Sequence, residues 1–540
     1  MPKVLVIGID GGSPRLINEW RQELPNFSRF MAEGVSGELT STLPPWTCPA
    51  WLSFATGKNP GKLGVYGWDY IEPPNPTALF DWSVFKLNPV WEQLGEAGKK
   101  TVSIGLPLTY PPMPIDGLVV SGFPAPAGKK DYTYPPELVH EIERLVDGSY
   151  GPEPGVTNPE FMRGGIGGFL RTLHSHTENT AAITRHMLKN HPADLFITVF
   201  VATDRVQHNL WHMMDATHPR YRSRYRMAGN PVLTTYKQID SVLGSLLETI
   251  DKDTYVIIMS DHGFGPFHGM FYINTWLMQN GWLALKPGVK TRSKSGLLDR
   301  LLDSETAFFR AARRISAGMG LFELAKRIRG RRSGLVSPEL ESFGQLYSLI
   351  DWTKTKAIGL EGDRIYLNRQ NLSKDEYLAV RSEIVAGLKE IKHPRTGQPV
   401  VGKVYTWEEI YGTRALGRPP DIIFVMDNYR YQQKLGLNPA LWQIPFRLSG
   451  GHQLEGLVMA KGPQIRSGTK VSGRIIDIAP TILHILSVPV PADMDGRVLK
   501  EFFLEGSELS LREENYREIG ARDLLKGKIK SLKNAGKLSC

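Results

Sequence analysis

Cysteine is nearly missing: the 540 residues include two, Cys48 and Cys540, far apart in the chain. That excludes a disulfide framework and a CxxC metal knuckle. There is no run of about 18 apolar residues, so no spanning helix is expected. The opening MPKVLVIGIDGG carries an apolar run that ends in aspartate, too short for the h-region of a signal peptide and with no cleavage site behind it. The expected location is therefore cytoplasmic. Gly (54) and Pro (38) follow no fixed period, which excludes solenoid and collagen-like arrays. What is present, 41% hydrophobic and 22% charged residues, is the composition of a globular chain, long enough for several domains or for one large α/β domain with insertions.

The formal charge of +10 is concentrated in two places. Residues 290–332 hold 12 Lys/Arg against 4 Asp/Glu, and residues 521–540 hold 6 against 1, which leaves the rest of the chain slightly acidic. Both stretches space apolar residues helically, as in Leu297, Leu298, Leu301 and Leu302, then Leu524, Leu525, Ile529 and Leu532. They read as basic amphipathic helices that could make peripheral contact with an anionic membrane or a partner, or as solvated faces. They contain no nucleic-acid reading motif, so nucleic acid is not expected as a specific partner.

Near-continuous apolar runs at Val4–Ile9, Thr101–Ile104, Leu195–Val201, Tyr255–Met259, Asp421–Val425 and Leu457–Ala460 predict strands covered on both faces. Leu138–Val146, Thr177–Leu188, Val232–Thr249 and Lys374–Lys389 have helical patterns. The expected architecture is α/β, a mostly parallel central sheet with helices on both faces. Its core comprises residues 1–106, 155–285 and 420–505. Residues 107–154 and 286–419 are expected to be an inserted cap that shapes the substrate cavity, and residues 506–540 a basic amphipathic tail.

Chemistry is expected at the strand ends, where open α/β sheets bind ligands. Asp10 follows VLVIGI and precedes Gly11-Gly12; Asp261-His262 follows YVIIMS; Asp204 and His208 stand four residues apart beyond LFITVF. That spacing puts carboxylate and imidazole on one helical face. Each motif alone has a plain explanation, as a helix N-cap, a turn or a surface pair. Together they suit Zn²⁺, Mn²⁺ or Fe²⁺, and two such ions near one another can stabilise the attacking and leaving oxygens of a displacement at phosphorus.

The ordered motifs IGID10GG, LPPWT47CPAWLSFATGKNPGKLG, TD204RVQH208, SD261H262GFG and SGGH452QLEG, trailed by IDIAPTIL, resemble the alkaline phosphatase superfamily, and within it the type I phosphodiesterase/nucleotide pyrophosphatase branch. The resemblance implies an alkaline phosphatase-like fold and two divalent metal ions, zinc foremost. It implies that Asp10, Thr47, Asp261 and His262 bind one ion, and that Asp204, His208 and His452 bind the other. Thr47 would be the nucleophile, activated by coordination, and a phosphothreonine intermediate would then be hydrolysed with overall retention at phosphorus. The implied activity is hydrolysis of a phosphodiester or pyrophosphate bond in a small-molecule substrate.

Two departures concern the substrate. The family's asparagine that holds a phosphoryl oxygen falls here on Trp68, with Asp69 next, and Lys58 or Lys62 is a candidate electrostatic substitute. Cys48-Pro49-Ala50-Trp51 does not fit the C-x-P-x-R of sulfatases. His212 and His268 read as pocket or supporting residues, and Trp46, Trp51 and Trp68 as core or as a stacking surface. Two alternatives stay open: a phosphomonoesterase, phosphonate hydrolase or phosphomutase on the same site, and a non-catalytic phosphoester- or membrane-surface-binding protein.

Overall fold

The computed structural model describes residues 3–72, 75–79, 88–126, 128–146, 150–152, 165–291, 335–336, 343–394, 396–412, 415–445 and 448–518. Val4–Ile9 lies at the centre of a nine-stranded sheet, flanked in parallel by Leu195–Phe200 and Tyr255–Met259. Thr101–Ile104 and Gly117–Val120 continue the parallel run on one side. On the other, Glu455–Lys461 runs antiparallel, followed by Val35–Thr40 and Thr469–Arg474. Only Glu455–Lys461 and the edge strand Thr133–Tyr134 oppose the common direction.

The expectation of strands covered on both faces holds for this sheet, because successive side chains enter different cores. Val4 and Val6 join the cluster built with Trp51, Leu94 and Ile482, while Leu5, Ile7 and Ile9 join Phe27, Leu173 and Tyr236. The helices Thr47–Thr56, Val90–Glu96 and Ile478–Ile485 cover the first face. Pro25–Glu33, Gly165–Asn190, Ala202–Met214 and Pro231–Leu247 cover the second. No helix among the described residues is long and apolar enough to cross a membrane.

Several expected boundaries change. Residues 107–154 are not solely a cap: Gly117–Val120 and Thr133–Tyr134 extend the main sheet, because GLVV pairs with Thr101–Ile104 in parallel register. The Asp421–Val425 run is a buried strand, Ile422–Met426, but it belongs to a second sheet and pairs antiparallel with Arg364–Leu367 and Val401–Thr406. That sheet also takes Ala357–Leu360, Tyr431–Lys434, Gly269–Tyr272 and Trp442–Gln443, so parts of the expected core, within 269–285 and 420–443, lie in this second unit. It has its own apolar cluster, closed by Val380, Ile384 and Leu388 of the helix Lys374–Lys389. The expected tail is folded in its first part: Leu509 is buried and Tyr516–Arg517 pairs with Val490–Pro491. Most of the basic stretch 290–332 and all of 521–540 lie outside the described residues.

One glycine sets how closely the helix Thr47–Thr56 approaches the central strand. A Cβ on Gly8 would sit 2.6 Å from the Trp51 ring and 2.9 Å from Val199. Trp51, 1% exposed, therefore lies directly over the strand, and the helix that begins at Thr47 is held against the strand that ends at Asp10. Gly8→Ala overpacks this contact and is expected to lower stability by about 1–3 kcal/mol, read as a lower urea midpoint. An unchanged midpoint would show that the helix is free to shift.

Candidate metal centre

Sheet direction explains why residues so far apart in sequence meet. Asp10, Asp204 and Asp261-His262 each follow the carboxyl end of a parallel strand, and Val35–Thr40 leads from the same edge to Thr47. His452 precedes Glu455–Lys461, whose amino end lies at that edge because the strand runs antiparallel. A short ribbon, Gly263–Pro266 against Gly450–Gln453, then sets Phe264 opposite His452 and carries the two histidine loops together.

The seven side chains converge. Thr47 Oγ1 lies 3.3 Å from His262 Nε2, which is 3.2 Å from Asp261 Oδ2 and 3.7 Å from Asp10 Oδ1. Asp204 Oδ1 lies 3.3 Å from His208 Nε2 and 3.4 Å from His452 Nε2, and the two nitrogens are 2.9 Å apart. The rings of His262 and His452 stack, with centroids 3.6 Å apart and planes 19° from parallel. Two groups can each hold an ion: Asp204, His208 and His452, and Asp10, Asp204 and His262.

Proton positions follow from the partners. His208, His262 and His452 each place Nδ1 against a carbonyl, of Gly450 at 2.9 Å, Gly263 at 3.1 Å and Pro45 at 3.0 Å. A carbonyl only accepts, so Nδ1 carries a proton, and Nε2 is the nitrogen left to face a cation. Burial, with His452 close by, holds the His262 imidazole well below its usual pKa, and burial lowers that of His452. Both rings are thus neutral.

The carboxylates are buried to within a few per cent: Asp10 is 1%, Asp204 4% and Asp261 0% exposed. Burial first, then the charges of Asp261 and Asp204, push the Asp10 carboxyl well above its ordinary range; burial, with Asp204, does the same to Asp261. For Asp204 burial also acts upward, but His208, His452 and Arg205 together hold it well below. Asp10 Oδ1, Asp204 Oδ1 and Asp261 Oδ2 accept no hydrogen bond among the described residues. Each carboxylate's other oxygen, or its neighbouring backbone, is fixed. Trp51 Nε1 donates to Asp10 Oδ2 at 3.4 Å, and Gly11 N, in a left-handed turn at φ 65°, donates to Asp261 Oδ1 at 3.1 Å. Orphaned carboxylate oxygens crowded together repel, and cations resolve that arrangement, so the residues fit divalent metal.

Other expected residues lie elsewhere. Lys58 stands beyond the far end of the ten-residue helix from Thr47, about 15 Å along its axis, and its ammonium pairs with Asp493 at 2.5 Å. Lys62 pairs with Asp495 at 2.7 Å. The expectation that Lys58 contacts substrate is therefore corrected: the helix carries it away from Thr47 and an aspartate engages its charge. Trp68 tilts against Phe123 at 5.7 Å, and Phe123 carries the Arg205 guanidinium 4.8 Å above its ring, which links Trp68 indirectly to Asp204. Asp69 opens the strand Asp69–Glu72. Trp46 lies 5.9 Å from the His452 ring. His212 Nδ1 meets Ser449 Oγ at 3.0 Å and so braces the segment before His452, whereas His268 packs edge-on to His218 and Tyr431.

Sequence reading missed the residues that pin the ligand loops. Thr203 Oγ1 donates to Asp10 O at 2.6 Å, Gln207 Nε2 to Gly11 O at 2.9 Å, Ser260 Oγ to Gly12 O at 3.0 Å and Ser41 Oγ to Asp261 O at 2.5 Å. Their one signal is position, since three of them directly precede a motif residue.

The profile of the type I phosphodiesterase/nucleotide pyrophosphatase family matches residues 4–433. Among curated proteins none matches the chain by sequence. Solved structures similar to it include human ectonucleotide pyrophosphatase/phosphodiesterase 5, at 14% identity, TM-score 0.48, covering 90% of this chain and 95% of that one. Its murine counterpart matches at 15% identity and TM-score 0.47 with the same coverage. An inactive form of the murine protein in complex with AMP matches at 14% identity and TM-score 0.47, covering 90% of this chain and 96% of that one. The chain belongs to the type I phosphodiesterase/nucleotide pyrophosphatase family and is a hydrolase of phosphoric esters.

Proposed function

We propose that this protein cleaves a phosphodiester or pyrophosphate bond at a centre of two divalent metal ions, with Thr47 as nucleophile. The observation that carries the proposal is the set of unsatisfied carboxylate oxygens gathered with three imidazoles, one of which, His262, sets its Nε2 3.3 Å from Thr47 Oγ1. Asp204, His208 and His452 would hold one ion; Asp10, Asp261, His262 and Thr47 the other. Zinc suits this mixed nitrogen and oxygen set, with manganese or iron as substitutes.

Bound there, the ions would supply Lewis acidity, easing deprotonation of a threonine hydroxyl and neutralising charge on the phosphoryl oxygens. The chain supplies position. Thr47 is the first residue of its helix and 6% exposed, so its hydroxyl has few orientations. Attack by Oγ1 forms a P–O bond as the leaving oxygen departs with its electron pair, giving phosphothreonine. Water then attacks phosphorus, and the threonine oxygen leaves and regains its proton. Two displacements retain configuration.

Thr47→Ala should reduce turnover of a nitrophenyl diester by ~10³-fold or more while metal content by elemental analysis stays the same. Comparable activity would remove Thr47 from the chemistry. Asp204→Ala should lose metal, and unchanged stoichiometry would contradict the ligand set. A third expectation concerns stability: Asp10→Asn removes a buried charge whose Oδ1 lacks a partner, so chelator-treated protein should melt higher, by about 1–3 kcal/mol of stability. A lower melting point would mean that Asp10 serves the fold.

A further inference from the structure

The described residues contain one more convergence of ligating side chains, and the hydrolytic reading does not use it: Glu141, His186 and His191. His191 precedes the amino end of the strand Leu195–Phe200, whereas Asp204 follows its carboxyl end, so about 20 Å of strand separates this cluster from the centre at Thr47. Glu141 sits on the helix Leu138–Leu145 between buried Val139 and Ile142, and His186 lies in the last turns of Gly165–Asn190. His191 follows that helix end, with its amide donating to Met187 O at 2.9 Å.

Both imidazoles reach one oxygen. His186 Nε2 is 2.5 Å and His191 Nε2 2.9 Å from Glu141 Oε1, and all three donor atoms fall within 4.8 Å of one another. Among the described residues no lysine or arginine pairs with Glu141, so imidazoles alone answer its charge. The side chains are 29–31% exposed, which leaves the cluster open to solvent on one side. Two imidazole nitrogens and a carboxylate oxygen with an open fourth position is the donor set of a zinc-class ion. Ligand atoms around such an ion stand about 3.3 Å apart, so the two imidazole nitrogens need only draw back from Glu141 Oε1 by less than about 1 Å to admit it.

We propose that Glu141, His186 and His191 form a second, surface site for a divalent cation of the zinc class, separate from the hydrolytic centre. An ion there joins the helix Leu138–Leu145 to the end of Gly165–Asn190. The first of these helices follows the edge strand Thr133–Tyr134, so the ion fastens one border of the main sheet.

The test compares the full chain with its His186→Ala/His191→Ala and Glu141→Gln variants. Each is stripped with chelator, reloaded with Zn²⁺, dialysed and analysed for zinc per chain. The double variant is expected to hold one equivalent fewer than the unaltered protein, to keep its diester hydrolysis, and to gain less in melting temperature on zinc addition. Glu141→Gln, of nearly the same shape, carries the same comparison if the double variant misfolds, and is expected to lose the same equivalent. Equal zinc content in all three proteins would overturn the proposal, leaving a hydrogen-bonded trio only. Loss of zinc from Asp204→Ala reports on the other centre, so failure of either reading is distinguishable from failure of both.

Discussion

The constraint on which the site depends is electrostatic: three buried carboxylates and three imidazoles crowd together, and one oxygen of each carboxylate accepts no hydrogen bond among the described residues. No folding gain arises from that arrangement by itself, since burying charge without a partner costs free energy. It persists because the rest of the molecule over-determines it. Carbonyls fix the far nitrogen of each imidazole, Trp51 and Gly11 fix one oxygen each of Asp10 and Asp261, and hydroxyls of Thr203, Ser260 and Ser41 fix the turns that carry these side chains.

The sheet makes this affordable. Parallel strands bring their carboxyl ends to one edge, so Asp10, Asp204 and Asp261 need only short turns to meet. The single antiparallel insertion, Glu455–Lys461, reverses direction and thereby delivers His452 to the same edge. Apolar clusters on both faces hold the strands in register, and the approach of Trp51 over Gly8 couples the helix of Thr47 to the strand of Asp10.

Much of this was legible in the sequence. Val4–Ile9, Thr101–Ile104, Tyr255–Met259 and Lys374–Lys389 have the bounds that their patterns predict, because burial on two faces and helical periodicity are local signals. The convergence of the seven candidate residues could be expected from strand ends and a resemblance. What was not legible depends on pairing. Ile422–Met426 has the same apolar character as a central strand, and nothing in its composition says which sheet it joins. Val35–Thr40 and Thr469–Arg474 alternate with polar residues toward the sheet margin and lack an apolar run. Gly117–Val120 is short and enclosed by prolines, so its place in the main sheet emerges only from its register with Thr101–Ile104. Lys58 illustrates the converse: proximity in sequence to Thr47 meant little once a helix intervened and Asp493 engaged the ammonium.

The central claim is that these side chains gather around metal. It is tested most directly by the anomalous scattering of crystals grown with zinc. Two peaks about 3.5–4 Å apart are predicted, one among Asp204, His208 and His452, the other among Asp10, Asp261, His262 and the Thr47 hydroxyl. Fully occupied zinc elsewhere with no peak between these residues would contradict the account.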